Sequence, residues 1–134
     1  MSYLSSFTGR SLRKEMAEKG IFEEDLAKIL GVHKGSVHRW CYRSLLTRTV
    51  HFAWLAVKLD LRPYKYWTTK EIRKEFLMTQ TQLADRMGIS IAASQAWDSE
   101  RVPLSMLHRY ALSYLQHKLE EERLEKQTKY EEKL

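Results

Sequence analysis

Apolar residues recur along this chain at helical rather than strand spacing. Between residues 23 and 42, Leu26, Ile29, Leu30, Val37, Trp40 and Cys41 return every few positions with charged and polar residues between them. That is the rhythm of helices that each turn one face to a core. Leu83, Met87, Ile89, Trp97, Leu107, Tyr110, Ala111 and Tyr114 repeat it further along. The pattern predicts helices near 9–18, 23–30, 34–42 and 48–59, with a short turn at 63–67. It then predicts helices near 68–77, 80–87, 91–97 and from 104 onward. The punctuation agrees. Gly20 and Gly31 follow helical stretches, where a left-handed C-cap favours a residue with no Cβ. Pro63 stops any helix before it. Thr68 with Glu71 three residues on predicts a capping box, and Ser90 is expected to cap the helix after it.

The pattern also repeats. Leu26-Ala27-Lys28-Ile29-Leu30-Gly31-Val32 aligns with Leu83-Ala84-Asp85-Arg86-Met87-Gly88-Ile89, an offset of 83 − 26 = 57 residues. At that offset Trp40 meets Trp97, Val50 meets Leu107, His51 meets His108 and Leu55 meets Leu112. The repeat implies two copies of one small unit, residues 1–66 and 67–118, each a bundle of four to five helices with no sheet. Trp40 and Trp97 are both expected to be mostly buried. Residues 119–134 are charged with sparse Leu, and read as a helical tail running into solvent. Leu112, Leu115 and Leu119 offer an alternative, a seam for pairing with another helix.

Composition sharpens this to an all-α chain. Among 134 residues there are only five Gly and two Pro, while 43% are hydrophobic, including four Trp. A net charge of +6 suits a polyanionic partner. The surplus is uneven. Residues 1–66 hold 12 Lys and Arg against six Asp and Glu, residues 67–118 hold seven against five, and residues 119–134 hold four against six. The single Cys41 excludes a disulfide within the chain, so a cytoplasmic location is the default expectation. No leader pattern is read in Met1 to Arg10, and no run of about 18 apolar residues suggests a membrane span. His33, His38 and Cys41 are joined by no CxxC or second His/Cys cluster, and Cys41 reads as core, so no metal site is expected. No nucleophile elbow, phosphate loop or paired-carboxylate motif is present, so neither an enzyme nor a cofactor is expected.

The motifs themselves are specific. The first copy reads Lys19-Gly20-Ile21-Phe22-Glu23-Glu24-Asp25-Leu26-Ala27, then Leu30-Gly31-Val32-His33, then Val37-His38-Arg39-Trp40. The second reads Thr79-Gln80-Thr81-Gln82-Leu83-Ala84, then Met87-Gly88-Ile89-Ser90, then Trp97-Asp98-Ser99-Glu100-Arg101-Val102-Pro103. These resemble the signatures of the lambda-repressor-like (Cro/XRE) helix-turn-helix family over about residues 10–60 and 68–116. The resemblance implies two tandem lambda-repressor-like helix-turn-helix bundles with a C-terminal helical extension. It also implies a sequence-specific, double-stranded-DNA-binding regulator of transcription, of the kind carried by bacteria and phages.

The third helix of each copy is then the candidate reader. In the first, Val37 and Trp40 anchor it, so positions 35, 38, 39 and 42 face away. The candidate DNA-binding set is His33, Lys34, Ser36, His38, Arg39, Tyr42, Arg43 and Arg48, with Gln80, Ser90 and Gln95 in the second copy. Lys34, Arg39, Arg43 and Arg48 are expected to lie exposed on one side. Arg and Lys address guanine, Gln addresses adenine, and Ser serves either. The second copy's third helix offers mainly Ile91, Ala92, Ala93 and Ala96 beside Gln95. Conversely, Glu23 stands where the resemblance implies a phosphate-contacting Gln, and an acid facing DNA would repel it. The first copy is therefore expected to read bases and the second to position or dimerise. The alternatives are a protein-interaction module that binds a regulator, a polymerase or its own kind, and a phage protein for DNA packaging or replication. The Tyr64, Tyr66, Trp67 cluster is expected to seal the contact between the two copies.

Overall fold

In the computed structural model, which describes residues 3–100 and 103–134, the chain is all-α. Among the described residues eight helices follow in order: α1 Gly9–Lys19, α2 Glu23–Leu30, α3 Lys34–Cys41, α4 Arg48–Lys58, α5 Lys70–Phe76, α6 Gln80–Met87, α7 Ile91–Trp97 and α8 Met106–Glu132. The described residues form no strand, only an isolated bridge between Leu4 and Thr47.

The caps explain the boundaries. The hydroxyls of Thr8, Thr47, Thr79, Ser90 and Ser105 accept backbone N–H groups at the starts of α1, α4, α6, α7 and α8. Gly20, Gly31 and Gly88 close α1, α2 and α6 in the left-handed conformation. At the place of Gly20 in the second copy stands Leu77, which keeps the left-handed turn at φ 54°. One expected cap differs. The Thr68–Glu71 box does not form, because α5 starts later, with Thr69 at its N-cap and no side-chain cap. The Thr69 hydroxyl instead donates to Asp98 at 2.7 Å.

The 57-residue register holds through α2 and α6, which start at Glu23 and Gln80. It then slips by one. The caps of α4 and α8 are Thr47 and Ser105, an offset of 105 − 47 = 58. Burial follows the slipped register: Ala53, Trp54 and Val57 are buried in α4, and Ala111, Leu112 and Leu115 in α8. Leu107, His108 and Leu112 are therefore paired with Thr49, Val50 and Trp54, in place of the expected Val50, His51 and Leu55. The slip arises between Trp97 and Ser105, one residue further apart than Trp40 and Thr47, and side-chain burial, not sequence identity, fixes the frame.

A single buried cluster runs through both copies, from Leu12, Leu26, Leu30, Val37 and Trp54 to Ile72, Leu83, Met87, Leu112 and Leu115. It is built around α4 and α8, which pack along one another. The connection between the copies is fastened to α8. Tyr64 N–H donates to the Arg109 carbonyl at 2.9 Å, Arg109 Nε donates to the Tyr64 carbonyl at 2.6 Å, and Ser113 Oγ donates to the Arg62 carbonyl. Of the aromatic cluster, Tyr64 alone seals: it is buried, and its hydroxyl donates to the Thr68 carbonyl and accepts from Ile72 N–H. Trp67 is 67% exposed and seals nothing. Trp40 is buried as expected, but Trp97 is only partly buried, its ring tilted 35° against that of His108 with centroids 4.4 Å apart. Leu119, assigned to the tail, belongs to the core, so Leu112, Leu115 and Leu119 meet their partners within the chain.

Two histidines tie this packing to pH. His51 lies flat on Phe7, 4.2 Å between centroids, and His108 sits against Trp97. Burial pushes both imidazoles below the ordinary histidine value. The folded chain thus keeps them neutral at a pH where the unfolded chain protonates them, and unfolding takes up protons. The stabilisation is intact above the unfolded value, about 6.5, and is lost as pH falls below it. The melting temperature is therefore expected to decline from pH 7.5 to 5 (roughly the window in which free imidazole titrates). A flat profile there would show that neither ring matters to folding.

Candidate nucleic-acid interface

α3 has two unlike faces. Val37, Trp40 and Cys41 are buried and anchor it. Burial also pushes the Cys41 thiol up, as does the nearby Glu23 carboxylate. On the opposite face Lys34, Gly35, His38, Arg39 and Tyr42 are exposed, with Ser36 half-buried at the edge. These are the positions that helical geometry assigns to that face. His33 is exposed at the N-cap position, and no side chain caps the helix. Ser36 N–H donates to the His33 carbonyl at 2.9 Å, and a helix start without a side-chain cap is compatible with an anion.

The exposed side chains touch one another. Arg39 donates to Ser36 Oγ at 3.1 Å. His38 Nδ1 meets Glu23 Oε1 at 3.0 Å. The Tyr42 ring, 63% exposed, lies 4.8 Å from the His38 ring and 4.7 Å below the Arg13 guanidinium. Arg13 was not among the expected residues. It belongs with Arg10 and Lys14 to an exposed basic stretch of α1, and the three- and four-residue spacing of these cations is the signal that marks them.

α1 reaches α3 through Gly9. Its N–H donates to the Arg43 carbonyl at 3.0 Å, and a Cβ built on it would stand 2.3 Å from the Trp40 carbonyl oxygen. Only a residue without a side chain lets the start of α1 come this close to the end of α3. Arg43, just past α3, is exposed.

Arg48 departs from expectation. It is half-buried rather than exposed, and its guanidinium donates to the carbonyls of Asp85 and Arg86. A helix C-terminus carries partial negative charge and unpaired carbonyls, and the end of α6 lies within reach of the start of α4. This cation therefore joins the copies instead of sharing a face with Lys34 and Arg39.

The second copy deploys its residues differently. The Ser90 hydroxyl caps α7, accepting the Ala93 N–H at 3.0 Å. The Gln80 amide donates to Asp98 Oδ2 at 3.1 Å. Gln95 is exposed, beside exposed Ile91, Ala92 and Ala96. Asp98, a residue the sequence reading gave no role, is the hub here. It is buried at the end of α7 and accepts from Thr69, from Arg73 through two nitrogens, and from Gln80. Burial alone would raise its carboxyl, but these donors outweigh it and hold the group below the ordinary carboxylate value. Arg101 and Val102, part of the motif that follows, lie outside the described residues.

Among the described residues no three His, Cys, Asp or Glu side chains converge as a metal site. Nor is any helix there long and apolar enough to cross a membrane. No known family model matches the chain, and comparison with curated proteins and with solved structures finds no significant match.

Proposed function

We propose that this chain is a sequence-specific double-stranded-DNA-binding regulator of transcription, built on two lambda-repressor-like helix-turn-helix units, with α3 as the base-reading helix. One observation carries this reading. α3 is anchored by Val37, Trp40 and Cys41 and turns Lys34, His38, Arg39 and Tyr42 to solvent, with Arg13 and Arg43 beside them. An exposed helix face of hydrogen-bond donors, ringed by cations, fits a major groove wide enough for a helix. The uneven basic surplus agrees, as six of the net positive charges lie in residues 1–66.

Salt-dependent retention on random duplex tests binding, because neutralised phosphates make affinity fall as salt rises. Selection of sites from random duplex then tests specificity. Arg39→Ala is expected to cost about 1–3 kcal/mol of discrimination and relax preference at one or two base pairs. Gln95→Ala is expected to cost less. The reverse order would make α7 the reader.

The exposed face of α7 favours a different task for the second copy. Ile91, 46% exposed, stands among alanines, while the Ser90 and Gln80 polar groups are used inside the chain. Such a strip suits a partner helix, in a second copy of this chain or in another regulatory protein, better than a phosphate backbone.

A further inference from the structure

Three acids open α2, and each has a partner. Asp25 Oδ2 accepts the Phe22 N–H at 3.0 Å. Glu24 pairs with Lys28 one turn on, at 3.8 Å. Glu23 alone leaves its helix, its Oε1 meeting His38 Nδ1 of α3 at 3.0 Å. The Glu23 side chain is 28% exposed and that of His38 59%, so the carboxylate is the more sheltered partner.

The chemistry of this pair is directional. A carboxylate oxygen accepts hydrogen bonds and does not donate. Nδ1 therefore carries the hydrogen, and in the neutral ring Nε2 keeps its lone pair. The Tyr42 ring, itself under Arg13, lies against the imidazole and holds it from a second side. The cations Lys34, Arg39 and Arg43 are donors only, and the Ser36 hydroxyl already accepts from Arg39. Donors read guanine well, but cannot seek the amino groups of cytosine or adenine. A bare Glu would accept from cytosine, yet it would set a negative charge against the phosphates. In its neutral form, an imidazole whose Nδ1–H is held by a sheltered carboxylate offers Nε2 as the acceptor, with less of that repulsion.

We infer that Glu23 is a positioning residue for specificity: it fixes His38 with Nε2 as an acceptor, so that His38 selects a base edge bearing an exocyclic amino group, cytosine N4 or adenine N6. This rests on the reading of α3 as the base-reading helix.

The test compares duplexes from site selection that differ at single base pairs, titrated with the wild-type chain, Glu23→Ala, His38→Ala and the double variant. Glu23→Ala is expected to lose about threefold to tenfold of preference for the amino-bearing base, the scale of one net hydrogen bond. Its affinity for random duplex should rise, because a negative charge has gone. The exposed His38→Ala should lose the same preference, and the double variant no more than either single one. Misfolding would weaken binding to both duplexes, and in that event the His38→Ala comparison decides. If His38→Ala keeps the preference, or Glu23→Ala keeps it while tightening selected and random duplexes equally, the assignment fails and Glu23 merely repels. A wild-type chain that binds no duplex at any salt concentration would instead sink the underlying reading of α3 as well.

Discussion

Asp98→Ala is expected to destabilise the fold by about 3–5 kcal/mol, the usual cost of removing one partner from a buried ion pair. The carboxylate sits at the end of α7 and binds the first residues of α5 and α6 together through Thr69, Arg73 and Gln80. Removing it leaves the Arg73 guanidinium, itself only 21% exposed, with the Met78 carbonyl as its remaining acceptor. The Thr69 hydroxyl, fully buried, loses its acceptor outright. Chemical denaturation monitored by tryptophan fluorescence measures this. Asp98→Leu combined with Arg73→Met should recover much of the loss, since an apolar pair of similar bulk removes the unpaired charge. A single-variant loss below about 1 kcal/mol would show that Asp98 is as replaceable as a surface carboxylate.

Gly9→Ala is expected to destabilise by about 1–3 kcal/mol, in the range of overpacked sites. In a helix this change ordinarily stabilises, by about 0.5–1 kcal/mol. Here the new Cβ would lie 2.3 Å from the Trp40 carbonyl oxygen and 2.7 Å from the Cys41 carbonyl carbon. Both are backbone atoms that cannot rotate away, so α1 must back off from α3. Gly35→Ala supplies the control within the same molecule. Its Cβ would meet nothing nearer than an Arg39 guanidinium nitrogen at 3.6 Å, so it should show the ordinary stabilisation. Opposite signs for two glycine-to-alanine changes are the expected result. Equal signs would mean that the α1–α3 contact yields without cost.

The helices were legible because their signals are local. Apolar spacing, αL glycines and hydroxyl caps each act within a few residues, and α2, α6 and α7 fall where these signals place them. Misreadings arose where a distant group competed. Thr69 gives its hydroxyl to Asp98, nearly thirty residues away, which no capping pattern announces. Arg48 looks like any surface cation until the end of α6 is brought beside it. Gly9 carries no sequence signal at all, because its constraint is the backbone of another helix. On the candidate interface, helical geometry gave the exposed positions of α3 correctly. It did not bring in Arg13 of α1, or show that Glu23 is turned to His38.

The continuous interior shared by α4 and α8 makes each half depend on the other. Each half supplies a wall of the other's core, with Trp54 on one side and Leu112 and Leu115 on the other. Deleting either half would leave the survivor with a large apolar face open to water. The two halves thus stand or fall together: a change of volume on the inner face of α4 is expected to be felt in α8, because both line one core.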